Sequence, residues 1–134
     1  KKYVILGLRG GLYDPDDLKW AIEQGITIIT TDKFYEIGMK ETIKIIKDVL
    51  EDTATYFTFD IDGIDPTFAP GTGTPEVGGI IVREAQMIIR ELSDLNFIGA
   101  DVVEVSPPFD VQNMTSLVGA TIAFEILCTM TKTN

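Results

Sequence analysis

The sequence contains no histidine and a single cysteine, Cys128. Zinc sites built from histidine and cysteine, Ser-His-Asp triads and Cys-His pairs all need residues that are missing here. Any metal bound by this chain would therefore have oxygen ligands. One cysteine cannot form an internal disulfide, and because Cys128 lies in an apolar stretch we expect it to be a buried structural thiol.

Positive charge is also scarce, with 11 Lys+Arg against 21 Asp+Glu and a formal net charge of −10. This balance repels a nucleic-acid backbone and attracts small cations, so we expect no nucleic-acid partner. No apolar run reaches the roughly 20 residues of a membrane span, so we expect no membrane partner. The chain opens at Lys1 without a signal-peptide pattern or an initial methionine, and we expect a cytoplasmic protein with an upstream segment removed.

A chain of 134 residues with 45% hydrophobic residues is the size of one domain, so residues 1–134 are predicted to form a single α/β unit. Apolar, β-branched runs predict strands at 3–8, 26–30, 55–61 and 97–105. A helix of about 10 residues is predicted after Asp14, with Pro15 at the first helical position. Further helices are predicted at 39–50, 83–95 and 114–130. The last helix is apolar on most sides and should be well buried. Four strand-helix alternations predict a mainly parallel sheet covered by helices.

Asp60 and Asp62 stand at the end of the third predicted strand, where the candidate ligand site of such a sheet lies. Because side chains alternate along a strand, both carboxylates should point to the same side. A divalent cation such as Mg²⁺, Mn²⁺ or Ca²⁺ would relieve their repulsion. The alternative is that both aspartates only cap a turn.

Glu104 interrupts an apolar stretch near the end of the fourth predicted strand, where an unpaired carboxylate is costly. It therefore needs a cationic partner. Either Arg9 or Lys33 pairs with it from a neighbouring strand end, or it captures a cationic substrate. We interpret Asp101 and Asp110 as surface or turn residues.

Two longer segments carry a family resemblance. Residues 59–79 read FDIDGIDPTFAPGTGTPEVGG, which resembles the signature of the ureohydrolases, the arginase and agmatinase family. Residues 104–110 read EVSPPFD, which resembles the downstream motif of the family in its agmatinase-like form. The resemblance implies a three-layer α/β/α fold, of which this chain, with about four strand-helix units, would be the C-terminal half.

The family hydrolyses linear guanidino compounds to urea and an amine at a dinuclear manganese site. By resemblance, Asp60 would bridge the two metals and Asp62 would bind one of them, and the metals would activate a hydroxide for attack on the guanidinium carbon. Glu104 would hold the small cationic guanidino substrate. Residues 71–74 would close over the site. The resemblance also implies a homo-oligomer, a trimer or hexamer.

One departure from the family pattern is large. The remaining metal ligands of the family come from a Gly-Gly-Asp-His segment and an Asp-Ala-His-x-Asp segment, and neither occurs in this sequence. We therefore expect the 134-residue chain alone to be inactive and the active enzyme to need an upstream half.

Two alternatives remain open. One is a non-catalytic α/β scaffold module that has lost the metal site. The other is a Mg²⁺-dependent phosphatase of the haloacid-dehalogenase type, in which Asp60 would accept the phosphoryl group. That family expects threonine where Ile64 stands.

Overall fold

The computed structural model of the chain describes residues 1–14 and 16–131, and four strands alternate with four helices along it. The elements are β1 (Val4–Leu8), α1 (Lys19–Glu23), β2 (Thr27–Thr30), α2 (Thr31–Leu50), β3 (Thr55–Asp60), α3 (Val82–Glu91), β4 (Phe97–Val103) and α4 (Met114–Met130). Single 3₁₀ turns follow β3 and β4 at Ile61–Gly63 and Pro107–Phe109. The predicted α/β class is confirmed.

The strands form two parallel pairs. β1 pairs with β2, with Ile5 opposite Ile28, and β3 pairs with β4, with Phe57 opposite Ala100. Among the described residues the two pairs are not hydrogen-bonded to each other, so each strand keeps one edge without a partner strand. The parallel direction is as predicted, but the sheet is not continuous within this part of the chain.

A shared apolar core holds the two pairs together instead. Its buried members include Ile29 of β2, Ile46 of α2 and Leu92 after α3, and side chains from β1 and β3 pack against them. Phe57 of β3 also contacts a second cluster, which lies between α3, α4 and the β3–β4 pair. This second cluster anchors the end of β3, because Ile61, the first residue after the strand, is 0% exposed.

The first two helices differ from their predicted bounds. The predicted helix after Asp14 is reduced to the five residues of α1. Residues 16–18 before it form a turn, in which the Lys19 N–H donates to the Asp16 carbonyl at 2.9 Å. Pro15 lies outside the described residues. α2 begins at Thr31, well before residue 39, since the Thr30 hydroxyl caps it by accepting from the Lys33 N–H (3.1 Å).

Gly38 explains why the periodicity of α2 is visible only from residue 39. Its φ of 78° and ψ of 165° are not helical, so the segment consists of two helical parts joined at this glycine. The second part coincides with the predicted helix at 39–50.

The last helix is less buried than its composition predicts. One face, with Val118 and Ile122, packs in the second core cluster, but Leu117, Phe124 and Leu127 are 59%, 66% and 61% exposed. Cys128 is exposed as well. The predictions of a well-buried helix and a buried thiol are therefore wrong for the described chain, because α3 and β4 cover only one side of α4. Within residues 1–14 and 16–131, no helix has the length and apolarity needed to cross a membrane.

Ile122→Ala tests the packing of the second cluster. Ile122 is 0% exposed, so its truncation leaves a cavity and should lower the free energy of unfolding by about 2–5 kcal/mol. Thr121→Ala on the same helix is the control and should change it by less than about 0.5 kcal/mol. Urea unfolding of both variants measures the difference; equal effects would contradict the described packing.

Candidate active site

Strand β3 and the turn after it bring Asp60 and Asp62 together. Phe57 and Phe59 face the core, while Asp60 lies on the opposite, exposed side of β3. The strand ends one residue earlier than predicted, and Asp62 belongs to the 3₁₀ turn. The turn, and not strand alternation, therefore joins the two aspartates: the Asp62 N–H donates to Asp60 Oδ1 at 3.1 Å.

The charges at this strand end are crowded. Loss of hydration raises the pKa of Asp60, and the negative charges of Asp62 and Glu104 raise it further, while the hydrogen bond from the Asp62 N–H acts in the opposite direction. Asp60 thus experiences both neighbouring carboxylates. A bound cation at this position would relieve the repulsion.

Glu104 directly follows β4 in a conformation that is unusual for a residue with a side chain, with φ of 65°. Its side chain is exposed, and among the described residues it has no ion-pair partner. Arg9 donates to main-chain carbonyls instead, and Lys33 pairs with Glu36 at 3.0 Å. An internal ion pair therefore does not explain this carboxylate.

The long segment after β3, residues 62–79, is called the signature loop below. It returns to Asp62 through Thr74, whose hydroxyl donates to Asp62 Oδ2 at 2.9 Å. It also reaches Glu104, because a Cβ added to Gly73 would lie 3.8 Å from Glu104 Oε2. The loop thus lies against two of the three candidate site residues, as expected for a segment that closes over the site.

Gly71 sets how closely the loop approaches α4. Its N–H donates to the Thr115 hydroxyl and its carbonyl accepts from the Ser106 N–H, both at 2.8 Å. A Cβ on Gly71 would come within 2.8 Å of the Asp110 Cα. Only glycine fits this position, and the contact ties the loop to the segment that follows β4.

Asp110 has a larger role than a surface or turn residue. Its carboxylate accepts from the N–H groups of Thr115 (2.8 Å) and Ser116 (2.7 Å) and from the Ser116 hydroxyl (2.7 Å) at the start of α4. Burial raises its pKa, but these hydrogen bonds outweigh that effect and lower it to about 2. In the sequence, an aspartate just before an apolar helix indicates such a contact with the helix N-terminus.

Asp101 is likewise not a free surface residue. It is half-buried on β4 and accepts a hydrogen bond from the Tyr56 hydroxyl at 3.0 Å. Its other oxygen is buried, and within the described residues it has no hydrogen-bond partner. The same is true of the hydroxyl of Thr72 in the signature loop. Both groups are polar atoms that this part of the chain leaves unsatisfied.

An open pocket of about 290 Å³ adjoins Asp62 and contains residues that sequence reasoning did not place at the site. It is lined by Arg9 and the glycines after β1 and by Thr74 and Glu76 of the signature loop. Residues at the carboxyl end of β1 therefore lie beside Asp62, whereas Asp60 and Glu104 do not line this pocket.

Asp60 and Asp62 are two candidate metal ligands, and the described residues add no third one beside them. Among residues 1–14 and 16–131, no group of three or more histidine, cysteine, aspartate or glutamate side chains has an arrangement that could hold a metal ion. Asp60 and Asp62 do offer oxygen ligands to a hard cation, and the crowding of charge around Asp60 fits such a cation. The donor set is compatible with manganese but incomplete.

Comparisons with known proteins show the family of the chain. The sequence matches the Arginase family over residues 1–129. It is 51% identical to guanidinopropionase of Pseudomonas aeruginosa over 93% of this chain and 39% of that protein. It is 48% identical to agmatinase of Neisseria meningitidis serogroup C over 75% of this chain and 33% of that protein. The structure of proclavaminate amidino hydrolase from Streptomyces clavuligerus has a TM-score of 0.90 at 37% identity, covering 98% of this chain and 42% of that one. The chain spans two fifths or less of the length of the curated relatives it matches.

Asp110→Asn tests the anchor at the start of α4. The pKa of about 2 in the folded protein lies below the ordinary value of about 3.9, so the stabilisation is complete above pH about 4 and is lost as the pH falls through about 2. The stability advantage of the wild type over Asp110→Asn should therefore shrink between pH 5 and pH 2.

Urea unfolding at several pH values measures this advantage. Asp48→Asn, at an exposed aspartate near Lys44, controls for the loss of one surface charge. An advantage over Asp110→Asn that stays constant across this range would rule out the proposed anchoring.

Proposed function

Because the chain belongs to the arginase family, we propose that it supplies the guanidinium-binding carboxylate and two metal ligands of a ureohydrolase, which cleaves a linear guanidino compound to urea and an amine. The observation that carries the proposal is the convergence of Asp60, Asp62 and Glu104 at the ends of adjacent strands, with no cationic side chain of the described chain to pair with them. The name of the relative guanidinopropionase supports a guanidino substrate.

Asp60 and Asp62 would hold the metal, which we propose to be a pair of manganese ions. Asp60 would serve both ions, and the effect of the charges of Asp62 and Glu104 on its pKa supports its place at the centre of the proposed site. Asp62 would serve one ion, and the Thr74 hydroxyl on its Oδ2 leaves Oδ1 available. When bound, the metal would supply a water activated for attack at neutral pH.

Glu104 would bind the substrate. A guanidinium group is planar and donates two parallel hydrogen bonds to one carboxylate, so it matches an exposed glutamate that has no internal partner. The Glu104 φ of 65° sets the direction in which the chain leaves β4 at this carboxylate. The main chain of the signature loop lies beside this carboxylate, since a Cβ at Gly73 would be 3.8 Å from Glu104 Oε2.

We further propose that the complete protein is longer and that its upstream part completes the metal site. The sequence has no histidine, and the described residues offer no group of three ligands. The exposed apolar stripe on α4 (Leu117, Phe124 and Leu127) and the unpaired strand edges give that part a surface to cover. A cytoplasmic homo-oligomer of three or six such chains is part of the same proposal.

A non-catalytic module is the second candidate, and the incomplete ligand set is the observation that favours it. The two candidates differ in manganese binding by the complete protein. The ureohydrolase must bind manganese and release urea from guanidino acids or agmatine, whereas the module does neither.

The intact mass of the natural polypeptide tests the proposed upstream part. A mass well above 14.8 kDa is expected. A natural chain of 14.8 kDa would contradict the proposal unless a separate partner chain supplies the missing ligands.

Substitutions in the complete protein separate the proposed roles. Asp60→Asn or Asp62→Asn should lose manganese and urea release together, because each removes a charged ligand. Glu104→Gln should keep the manganese and lower kcat/KM by roughly 30-fold or more, because it removes the charge opposite the substrate cation.

Metal content by mass spectrometry and urea release are the two measurements. Asp94→Asn, at an exposed aspartate that pairs with Lys47, is the control and should affect neither. Full turnover by Glu104→Gln would overturn the role of Glu104, and retained manganese in both aspartate variants would overturn the proposed ligands.

A further inference from the structure

Arg9, immediately after β1, donates its hydrogen bonds to main-chain carbonyls and not to a carboxylate. Its Nη2 donates to the Asp62 carbonyl at 2.6 Å and to that of Glu76, its Nε donates to the carbonyls of Glu76 and Val77 at 3.2 Å, and its Nη1 donates to that of Gly7 at 3.3 Å. No ion pair involves Arg9 among the described residues. One half-buried side chain thus connects β1, the turn after β3 and the signature loop.

Only arginine can make this set of contacts. The guanidinium group carries five N–H donors in a fixed plane, so it reaches carbonyls that lie in different directions. A lysine at this position would keep the charge but would place three donors around a single nitrogen. The geometry of Arg9 therefore matters as well as its charge.

Together with two other hydrogen bonds, these contacts hold three groups of Asp62: its carbonyl, its N–H and its carboxylate. The Asp62 carbonyl is held by Arg9, its N–H by Asp60 (3.1 Å) and its carboxylate by the Thr74 hydroxyl (2.9 Å). Thr74 lies two residues before Glu76, whose carbonyl is also held by Arg9. Arg9 thus fixes both the main chain of Asp62 and the segment that carries its hydroxyl partner.

The signature loop has few other attachments at this point. Residues 73–78 are exposed. Thr115 holds the loop before this stretch at Gly71, and Asp65 holds it after the stretch at Gly78 (2.9 Å). Between these two points, the described hydrogen bonds that join residues 72–77 to residues outside 70–78 are that of Thr74 to Asp62 and those from Arg9.

We propose that Arg9 is a positioning residue that clamps the signature loop onto Asp62 and thereby fixes the orientation of the Asp62 carboxylate. The inference rests on the proposed function in one respect, namely that Asp62 binds metal. The loop clamp itself stands on the contacts of Arg9 alone. Arg9 acts through Asp62 and does not touch the substrate.

Proteolysis of the metal-free complete protein tests the clamp without any activity. A glutamate-specific protease cuts after Glu76 only when the loop is released, and the cut is identified by mass. Arg9→Met keeps the aliphatic stem and removes all donors, so cleavage after Glu76 should be at least about tenfold faster. Cleavage of Arg9→Lys after Glu76 should also be faster than cleavage of the wild type. Lys33→Met, at an exposed residue paired with Glu36, is the control and should match wild type.

Manganese affinity and kinetics test the effect on Asp62. Loss of a residue that orients a metal ligand weakens metal binding by about 10–100-fold, so the manganese Kd of Arg9→Met should rise by that factor. At saturating manganese, KM should change less than about threefold while kcat falls, because Arg9 does not bind substrate. The double variant Thr74→Val with Arg9→Met should lose less free energy of manganese binding than the sum of the two single losses, since both residues act on Asp62.

The results separate the clamp from the proposed function. Unchanged cleavage after Glu76 in Arg9→Met, or wild-type cleavage and affinity in Arg9→Lys, would overturn the clamp. Faster cleavage with unchanged manganese affinity would overturn the action on Asp62. If the wild-type protein binds no manganese and releases no urea, the proposed function fails, and the cleavage rates still decide whether Arg9 holds the loop.

Discussion

The electrostatic repulsion among Asp60, Asp62 and Glu104 is the constraint around which the site is organised. The carboxylates stand at the ends of adjacent parallel strands, and the raised pKa of Asp60 reflects both its lost hydration and the two neighbouring charges. Left alone, these side chains would turn away from one another into solvent. Hydrogen bonds hold two of them in place, because Asp60 accepts from the Asp62 N–H and Asp62 accepts from the Thr74 hydroxyl.

Two anchors hold the signature loop against this charged site. Gly71 ties its middle to α4 through Thr115, and α4 is itself fixed by the carboxylate of Asp110. Arg9 ties its later part to the end of β1. Each anchor acts on main-chain groups of the loop, so the loop is held there without using its own side chains. The Gly71 anchor depends on a close approach that only glycine permits.

Local patterns made much of this structure predictable. Alternating burial in β3 and helical periodicity in α3 follow from the spacing of apolar residues, and the strand ends identified Asp60, Asp62 and Glu104 as candidates. What sequence reasoning missed depends on contacts between distant residues. Arg9 and Asp62 are 53 positions apart, and Gly71 and Thr115 are 44 apart. No periodicity reports such pairs, so Arg9 was interpreted only as a possible ion-pair partner.

The prediction that α4 is well buried was wrong for a related physical reason. Composition indicates that a helix is apolar all round, but burial depends on how many neighbours surround it. In the described chain α3 and β4 cover one side, which leaves Leu117, Phe124 and Leu127 exposed. An apolar stripe of this kind becomes favourable when further protein packs against it. The proposed upstream part would cover the stripe and add the missing metal ligands in one step, so under that proposal the fold and the metal site are completed together.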